Sequence, residues 1–280
     1  MSTTRITVLV DNYVRRPGLL AEHGWACWIE TSTCRVLFDT GQGHALLYNA
    51  SELGVPLEQT DAIVLSHGHY DHTGALEAVL KLAPAARVYA HPAAFEAKYG
   101  RGTGGSAHEI GIPDDRPGIL ERIADRLVST IAPTEVCRDV QVTGQIARTT
   151  GFEDPGGPFY LDKSCQHPDP LVDDQALVIR TAAGTAVVLG CAHAGVINTL
   201  EYVARLANRA AIHTVIGGMH LGAASDERID RTIGELRRRD IKRIVAAHCT
   251  GANAFAALRA GLPARGSLSE AGMSLAWEDG

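Results

Sequence analysis

The chain has 280 residues, of which 45% are hydrophobic, and a formal net charge of −6 at pH 7. This length and apolar content are sufficient for one large core, so we expect a single α/β domain over residues 1–280. The acidic balance disfavours nucleic acid as a partner, because a nucleic-acid groove normally shows a clustered basic face.

Hydrophobic patterning predicts strands that alternate with helices along the chain. Several strands are continuous apolar runs, typical of sheets covered by helices, and the early strands and the pair around Ala183-Gly184 look like hairpins. The predicted strands are Ile6–Val10, Ala26–Glu30, Arg35–Phe38, Ala62–Leu65, Val88–Ala90, Leu177–Arg180, Ala186–Leu189, Thr214–Ile216 and Arg243–Ala247. The predicted helices are His44–Leu53, Thr73–Leu82, Val196–Asn208 and Asp226–Arg239.

Two stretches, Gly100–Gly118 and Gly151–Asp174, are rich in Gly, Pro, Asp and Ser and have weak periodicity. Long irregular segments in a compact domain are often lids or binding loops, although ordinary surface loops have the same composition. The residues in them that we consider as substrate contacts are His108, Glu109, Phe159, Tyr160, Lys163 and His167.

Residues 67–72 read His-Gly-His-Tyr-Asp-His and carry the strongest functional signal. They follow an apolar run and precede a helical pattern, so they lie on a strand-to-helix turn. His67 and His69 point the same way in extended backbone and can hold one ion, whereas Asp71 and His72 diverge towards a second. These donors suit zinc, iron or manganese rather than calcium. The alternative is a chance histidine cluster on a solvated loop.

The hexad resembles the HxHxDH signature of the metallo-β-lactamase-fold superfamily, and other segments match in order. Val36–Gly41 resembles the strand and turn before the hexad, whose aspartate, here Asp39, usually supports the ligands from behind. Val187–His193 and Ile244–His248 resemble the strands that deliver the next histidines. The likeness runs from about Ile6 to about Leu258. Four phrases are similar to the subgroup labelled dihydropterin ribofuranosyl-aminobenzene phosphate synthase-like: Ala21–Gly24, Gly190–Gly195, Gly217–Leu221 and His248–Gly251.

The resemblance implies a four-layer αββα sandwich, in which two mixed sheets are flanked by helices. It also implies a divalent metal centre of two ions, with zinc favoured and iron or manganese as alternatives. The expected ligands are His67, His69 and His193 for the first ion, and Asp71, His72 and His248 for the second.

One departure from the superfamily pattern is Cys191, which stands where many members carry a bridging aspartate. Its thiolate could bind or bridge the metals, or Cys191 could be a buried small residue, so a second ion is less firmly expected than the first. His220 is a candidate for orienting substrate, for stabilising developing charge or for supporting a ligand. We interpret His91 as structural, and His23, His44 and His213 carry no signal beyond their residue type.

These residues predict a metal-dependent hydrolase, in which a metal-bound hydroxide attacks a phosphoester or another small phosphorylated metabolite. Asp71 and His220 are the expected catalytic residues. No GxSxG motif offers a competing nucleophile. The subgroup label implies an alternative, a synthase that condenses a dihydropterin diphosphate with an aminobenzene ribose phosphate. Thioester or lactam hydrolysis, and a metal-binding module without catalysis, are lesser alternatives.

Location and partners are predicted from what the sequence lacks. No apolar stretch reaches membrane-spanning length, and the N-terminal residues lack a signal-peptide core, so we expect a cytoplasmic protein with no membrane partner. The six cysteines are scattered with no CxxC pair and are expected to be reduced. The basic run over 237–239 is interpreted as a solvated helix end. A small-molecule substrate is the expected partner, and the oligomeric state is left open.

Overall fold

Two seven-stranded sheets lie at the centre of the structure, a computed structural model that describes residues 3–102, 105–113, 116–207 and 210–278. The strands are β1 Thr3–Val10, β2 Ala26–Glu30, β3 Arg35–Phe38, β4 Ala62–Val64, β5 Arg87–Ala90, β6 Tyr99–Arg101, β7 Ala107–Glu109, β8 Leu127–Ser129, β9 Thr134–Cys137, β10 Val140–Val142, β11 Phe159–Tyr160, β12 Leu177–Thr181, β13 Gly184–Leu189, β14 Ile212–Gly218, β15 Arg243–Ala247, β16 Gly266–Leu268 and β17 Ser274–Glu278. The helices are α1 Leu46–Leu53, α2 Tyr70–Thr73, α3 Leu76–Leu82, α4 Arg116–Ile123, α5 Val196–Leu206, α6 Asp226–Arg238 and α7 Ala252–Gly261.

The two sheets pack face to face. The first has the order β17-β1-β2-β3-β4-β5-β8 and the second β16-β15-β14-β13-β12-β10-β9. Phe38 and Val64 of the first sheet share a buried core with Leu177 and Val188 of the second. Helices α1, α3 and α4 cover the outer face of the first sheet, and α5, α6 and α7 cover the outer face of the second. The predicted four-layer αββα sandwich is therefore confirmed.

The predicted elements agree with the structure in most places. All nine predicted strands are present, and β1–β3 and β12–β13 form the expected antiparallel pairs. The single helix over Thr73–Leu82 is wrong, because α2 ends before Gly74 and α3 begins after Ala75. Gly74 lies against the backbone carbonyl of Gln42, where there is no room for a Cβ atom. Helix α5 ends at Leu206, and residue 208 of the predicted helix lies outside the described residues.

The two stretches expected to be irregular also contain regular structure. Strands β6 and β7 pair antiparallel in the first stretch, and β11 from the second pairs with β6. Each strand has only two or three residues, so no alternating pattern identifies it in the sequence. Together they form a small sheet, which places Phe159 near the hexad.

A buried ion-pair network joins this small sheet to the hexad. Lys98, which precedes β6 and is 1% exposed, lies 2.9 Å from Asp169 Oδ2 and 3.1 Å from Asp173 Oδ1. The other oxygen of Asp173 accepts a 2.9 Å hydrogen bond from the Gly68 backbone N–H. The charge of Lys98 is therefore linked through one carboxylate to the backbone between His67 and His69.

The cysteines differ from the expectation of six reduced thiols. Cys34, next to β3, and Cys137, at the end of β9, form a disulfide between the two sheets, with their Cα atoms 6.5 Å apart. That separation is within the range a disulfide spans, whereas the sequence separation of 103 positions concealed the pairing. In the described part of the chain, no helix has the length and apolar content needed to cross a membrane. The cytoplasmic location stays a prediction.

We expect Lys98→Met to lower the free energy of unfolding by about 3–5 kcal/mol, because it leaves Asp169 and Asp173 as uncompensated buried charges. Lys81→Met is the matched control: Lys81 pairs with Glu77 on the surface of α3, so we expect a loss below about 1 kcal/mol. Urea unfolding of both variants measures the difference. Equal losses would contradict the role of the buried network.

Candidate metal centre

Four strand ends meet at one edge of the sandwich. Strands β13, β14 and β15 are parallel, so their carboxyl ends lie together, and β4 of the other sheet ends at the same edge. The segments that follow these strands carry the hexad, Cys191 and His193, His220, and His248. This arrangement brings residues that are far apart in sequence to one place.

The first cluster, which we call the first position, contains His67, His69 and His193. His67 Nε2 lies 3.0 Å from His69 Nδ1. One ring nitrogen from each of the three histidines lies within 4.8 Å of the others, and all three rings are buried. These are the three residues expected to share the first ion.

The second cluster, which we call the second position, contains Asp71, His72 and His248. Asp71 Oδ2 lies 3.1 Å from His248 Nε2 and 3.7 Å from His72 Nε2. His72 Nε2 also lies 3.1 Å from the sulfur of Cys191. The residues expected to hold the second ion are thus adjacent, and Cys191 lies beside them.

One buried carboxylate, that of Asp39, orients a histidine of each position. His72 Nδ1 lies 2.7 Å from Asp39 Oδ2. The Ser66 hydroxyl donates to the same oxygen at 2.7 Å, and its oxygen lies 2.9 Å from His67 Nδ1. Because the hydroxyl proton is already directed to Asp39, Ser66 Oγ accepts from His67 Nδ1–H.

The other two strand-end histidines are oriented in the same way. His193 Nδ1 lies 2.7 Å from the carbonyl oxygen of Pro155, and His248 Nδ1 lies 2.8 Å from Asn12 Oδ1. Both partners are acceptors, so the proton is on Nδ1 and the Nε2 lone pair faces the cluster. A neutral imidazole whose other ring nitrogen donates a hydrogen bond to a protein acceptor is the form that binds a metal.

Burial and the neighbouring charges control ionisation in the cluster. Burial lowers the pKa of His69 to about 3 and that of His248 to about 4, which keeps both imidazoles neutral. Burial also opposes protonation of His72, but the carboxylates of Asp71 and Asp39 outweigh it and raise the pKa of His72 to about 9. The second position is therefore a negative site that a proton or a metal cation neutralises.

The donor set fits a divalent cation. His193 Nε2 is buried and has no hydrogen-bond partner among the described residues. An unsatisfied buried polar atom destabilises a protein by about 1–3 kcal/mol, and a cation at the first position would remove that penalty. Imidazole, carboxylate and thiol donors favour zinc or iron over calcium and magnesium.

An open cleft of about 200 Å³ gives access to the cluster. Phe159 of the small sheet packs against the rings of His69 and His193, with centroids 5.1 and 5.3 Å away. His220 lies beside them, with its ring centroid 4.3 Å from that of His193. The residues that line the cleft are His23, His69, Tyr70, Asp71, Ile110, Phe159, Cys191, His193, His220, His248 and Cys249.

The structure separates the remaining candidates. Of the six substrate-contact candidates in the two stretches, Phe159 lines the cleft, whereas His108, Glu109, Tyr160, Lys163 and His167 do not. The ring of His91 accepts a hydrogen bond from the Ala93 backbone N–H at the start of a 3-10 turn, which agrees with a structural role.

Sequence reasoning missed three residues of the centre. His23 Nε2 lies 3.3 Å from Asp71 Oδ2, although it was given no role. Asn12 holds His248, and Cys249 lies in the cleft next to His248. The only available signal was that His23 and Cys249 fall within phrases quoted for the subgroup resemblance.

We expect His69→Ala to strip metal from the first position, because it removes one of three converging donors. Elemental analysis of protein purified without added metal measures the loss. His44→Ala is the matched control: His44 is exposed and outside the cleft, so its metal content should equal that of the wild type. Equal metal content in both variants would contradict the assignment.

We expect Asp39→Asn to lower metal affinity by about 10–100-fold, as loss of an outer hydrogen-bond partner typically does. The substitution preserves size but removes the charge that orients His72 and, through Ser66, His67. Competition with a chromophoric chelator measures the affinity. Exposed Asp125→Asn is the control. If the metal affinity of Asp39→Asn is within about two-fold of the control, the loss is well below the typical range and the orienting role of Asp39 is refuted.

Known proteins resemble this chain over most of its length. A protein of Methanocaldococcus jannaschii described only as uncharacterized is 34% identical over 254 residues, covering 90% of this chain and 93% of its own. The 7,8-dihydropterin-6-methyl-4-(β-D-ribofuranosyl)-aminobenzene-5'-phosphate synthase of the same organism is 29% identical over 262 residues. The match covers 88% of this chain and 87% of the synthase.

A solved structure and a family model agree with these relatives. The crystal structure of Tm1679, described as a metal-dependent hydrolase of the β-lactamase superfamily, is 28% identical and covers 97% of this chain and 98% of its own, with a TM-score of 0.80. The model of the metallo-beta-lactamase superfamily matches residues 21–248, which include the hexad, His193 and His248. The chain belongs to the metallo-β-lactamase superfamily.

Proposed function

We propose that this protein is a metal-dependent hydrolase that acts on a phosphoester or another small phosphorylated metabolite. The observation that carries the proposal is the convergence of six predicted ligands in two adjacent clusters. Four of these ligands line one open cleft: His69, Asp71, His193 and His248. Open metal sites beside a cleft are typical of catalysis, whereas structural sites are closed by protein ligands.

The ligands divide between two cations. His67, His69 and His193 would hold the first, and Asp71, His72 and His248 the second, with zinc favoured. When bound, such ions lower the pKa of a water ligand to about 7 and neutralise an anionic oxygen of the substrate. The ion-pair network of Lys98 and the hydrogen bonds of Asp39 keep these side chains in place before substrate arrives.

The residues of the chain supply orientation. The Asp71 side chain is 10% exposed and borders the cleft, so besides holding a cation it can accept a hydrogen bond from the attacking water and orient it. Burial lowers the pKa of His220 to about 4, so its ring is neutral and can donate an N–H to the oxygen that gains charge. Phe159 and Ile110 supply an apolar part of the cleft lining.

The cleft composition agrees with a phosphorylated substrate bound through the cations. No arginine or lysine is among the described residues that line it, so no guanidinium fork is present for the phosphate. An anionic group would therefore bind to the cations and histidines. The small volume suits the phosphoryl end of a substrate, with the rest of the molecule outside the cleft.

A synthase is the second candidate, and the 29% identity to the dihydropterin-linked synthase favours it. In that reaction the same cations would bind the diphosphate leaving group, and the aminobenzene ribose phosphate would be the acceptor. The reactive cleft would be the same, but both substrates would be required.

A substrate panel with and without a chelator tests the proposal. We expect the protein to hydrolyse a model phosphodiester, to lose this activity with a chelator and to regain it when zinc is restored. Thioester and lactam substrates complete the panel. Release of diphosphate only when a dihydropterin diphosphate and the aminobenzene ribose phosphate are both present would instead establish the synthase.

Two controls make the result decisive. His44→Ala should retain full activity, and His69→Ala should lose it together with its metal. Full hydrolysis by metal-free protein would refute the proposed function. Tight metal binding without turnover on any substrate would indicate a non-catalytic metal-binding module.

A further inference from the structure

Two sulfur atoms, not one, lie at the second position. Cys191 is buried and Cys249 is half-buried in the wall of the cleft. Their sulfurs and one ring nitrogen of His248 all lie within 4.8 Å of one another. The proposed reaction gives Cys249 no role.

The place of the Cys249 sulfur is defined by the backbone around it. The His220 backbone N–H donates to this sulfur at 3.3 Å. A Cβ atom on Gly218 would lie 2.6 Å from the sulfur, so a residue with a side chain there would displace it. Outer hydrogen bonds to a ligand atom are the usual support of a metal-bound group, and N–H donors stabilise the negative charge of a thiolate.

The backbone beside both cysteines is in an uncommon conformation. Ala192, which follows Cys191, has φ 55°, His248, which precedes Cys249, has φ 45°, and His220 has φ 46°. Left-handed backbone in residues other than glycine is unfavourable and is found where the surrounding structure requires it, often at functional sites. These residues lie in the segments after β13, β14 and β15, next to both cysteines.

The donors lie close enough together to converge on one cation. Ligand atoms on a tetrahedral ion lie about 3.3–3.8 Å apart, given bonds of about 2.0 Å to nitrogen and 2.3 Å to sulfur. Asp71 Oδ2 lies 3.1 Å from His248 Nε2, and the Cys191 sulfur lies 3.1 Å from His72 Nε2. Both distances are slightly shorter than that range, so these donors would move apart a little around a bound ion. The Cys191 sulfur lies within 4.8 Å of a ring nitrogen of His67 and of His72, and the Cys249 sulfur lies within 4.8 Å of a ring nitrogen of His248.

We propose that Cys249 acts with Cys191 as a sulfur ligand of the second position, which makes this position select thiophilic divalent ions. Each thiol releases its proton to solvent when the metal–sulfur bond forms. Zinc, cobalt and cadmium would bind there in preference to manganese, because thiolates are soft donors. The inference rests on the metal centre of the proposed function but not on the reaction.

Cobalt substitution of the full-length protein tests it, because a thiolate bound to cobalt gives an intense near-ultraviolet charge-transfer band. We expect this band in the wild type, a partial loss in Cys249→Ser, and a partial loss in Cys191→Asp, which restores the usual superfamily carboxylate. Cys165→Ser is the control: Cys165 is a buried free thiol that does not line the cleft, so the band should be unchanged. Cys249→Ser should also lower the affinity for cadmium by at least about ten-fold, because removal of even a hydrogen-bond partner of a ligand causes a loss of that size. The affinity for manganese should change little.

The assignment is overturned if the loaded wild type shows no thiolate band, or if Cys249→Ser leaves the band intact. Alkylation of the native protein does not depend on the variants folding: bound cobalt should protect Cys249 from iodoacetamide, and full labelling of the loaded protein would refute the assignment. A band without hydrolysis counts against the proposed function alone. Hydrolysis without a band counts against the sulfur ligands alone, and protein that binds no cobalt refutes both.

Discussion

The buried carboxylate of Asp39 is the constraint on which the rest of the centre depends. It accepts directly from His72 and, through Ser66, from His67, so one side chain sets the direction of an imidazole in each metal position. Burial raises the pKa of this carboxyl group, and the charge of His72 and the donors of Ser66 oppose that rise. One buried side chain thereby links a histidine of each cluster, an arrangement that pre-organises polar groups.

A second set of contacts fastens the strand ends to one another. In the segment that leads into β12, Asp173 holds the Gly68 backbone, Asp174 accepts from Ala194 N–H at 2.8 Å, and the Gln175 amide donates to the Leu65 carbonyl at 2.8 Å. The segment thus connects the hexad of one sheet to the His193 loop of the other. Since Lys98 neutralises Asp173, the small sheet that forms one wall of the cleft is held by the same network.

Apolar runs in the sequence predicted the strands, and donors two residues apart placed the hexad on one turn, because both are local patterns. The four-layer sandwich was expected from the family resemblance and not from these patterns. The sequence also identified His193, His220 and His248 at strand ends. It failed for His23 and Cys249, whose importance depends on contacts with Asp71 and His248 that no spacing records. It failed equally for the Cys34–Cys137 disulfide and for the pairing of β6 with β11, which join distant segments.

The sequence by itself determined which donor side chains the chain contains and that four of them lie on one strand-to-helix turn. This was possible because backbone geometry fixes the directions of side chains that are close in sequence. Only the tertiary structure decided which donors lie close together, which ring nitrogen His193 and His248 turn towards the cluster, and that two sulfurs lie beside His248. Those properties depend on distances between the ends of strands in two different sheets, and such distances are set by how the sheets pack.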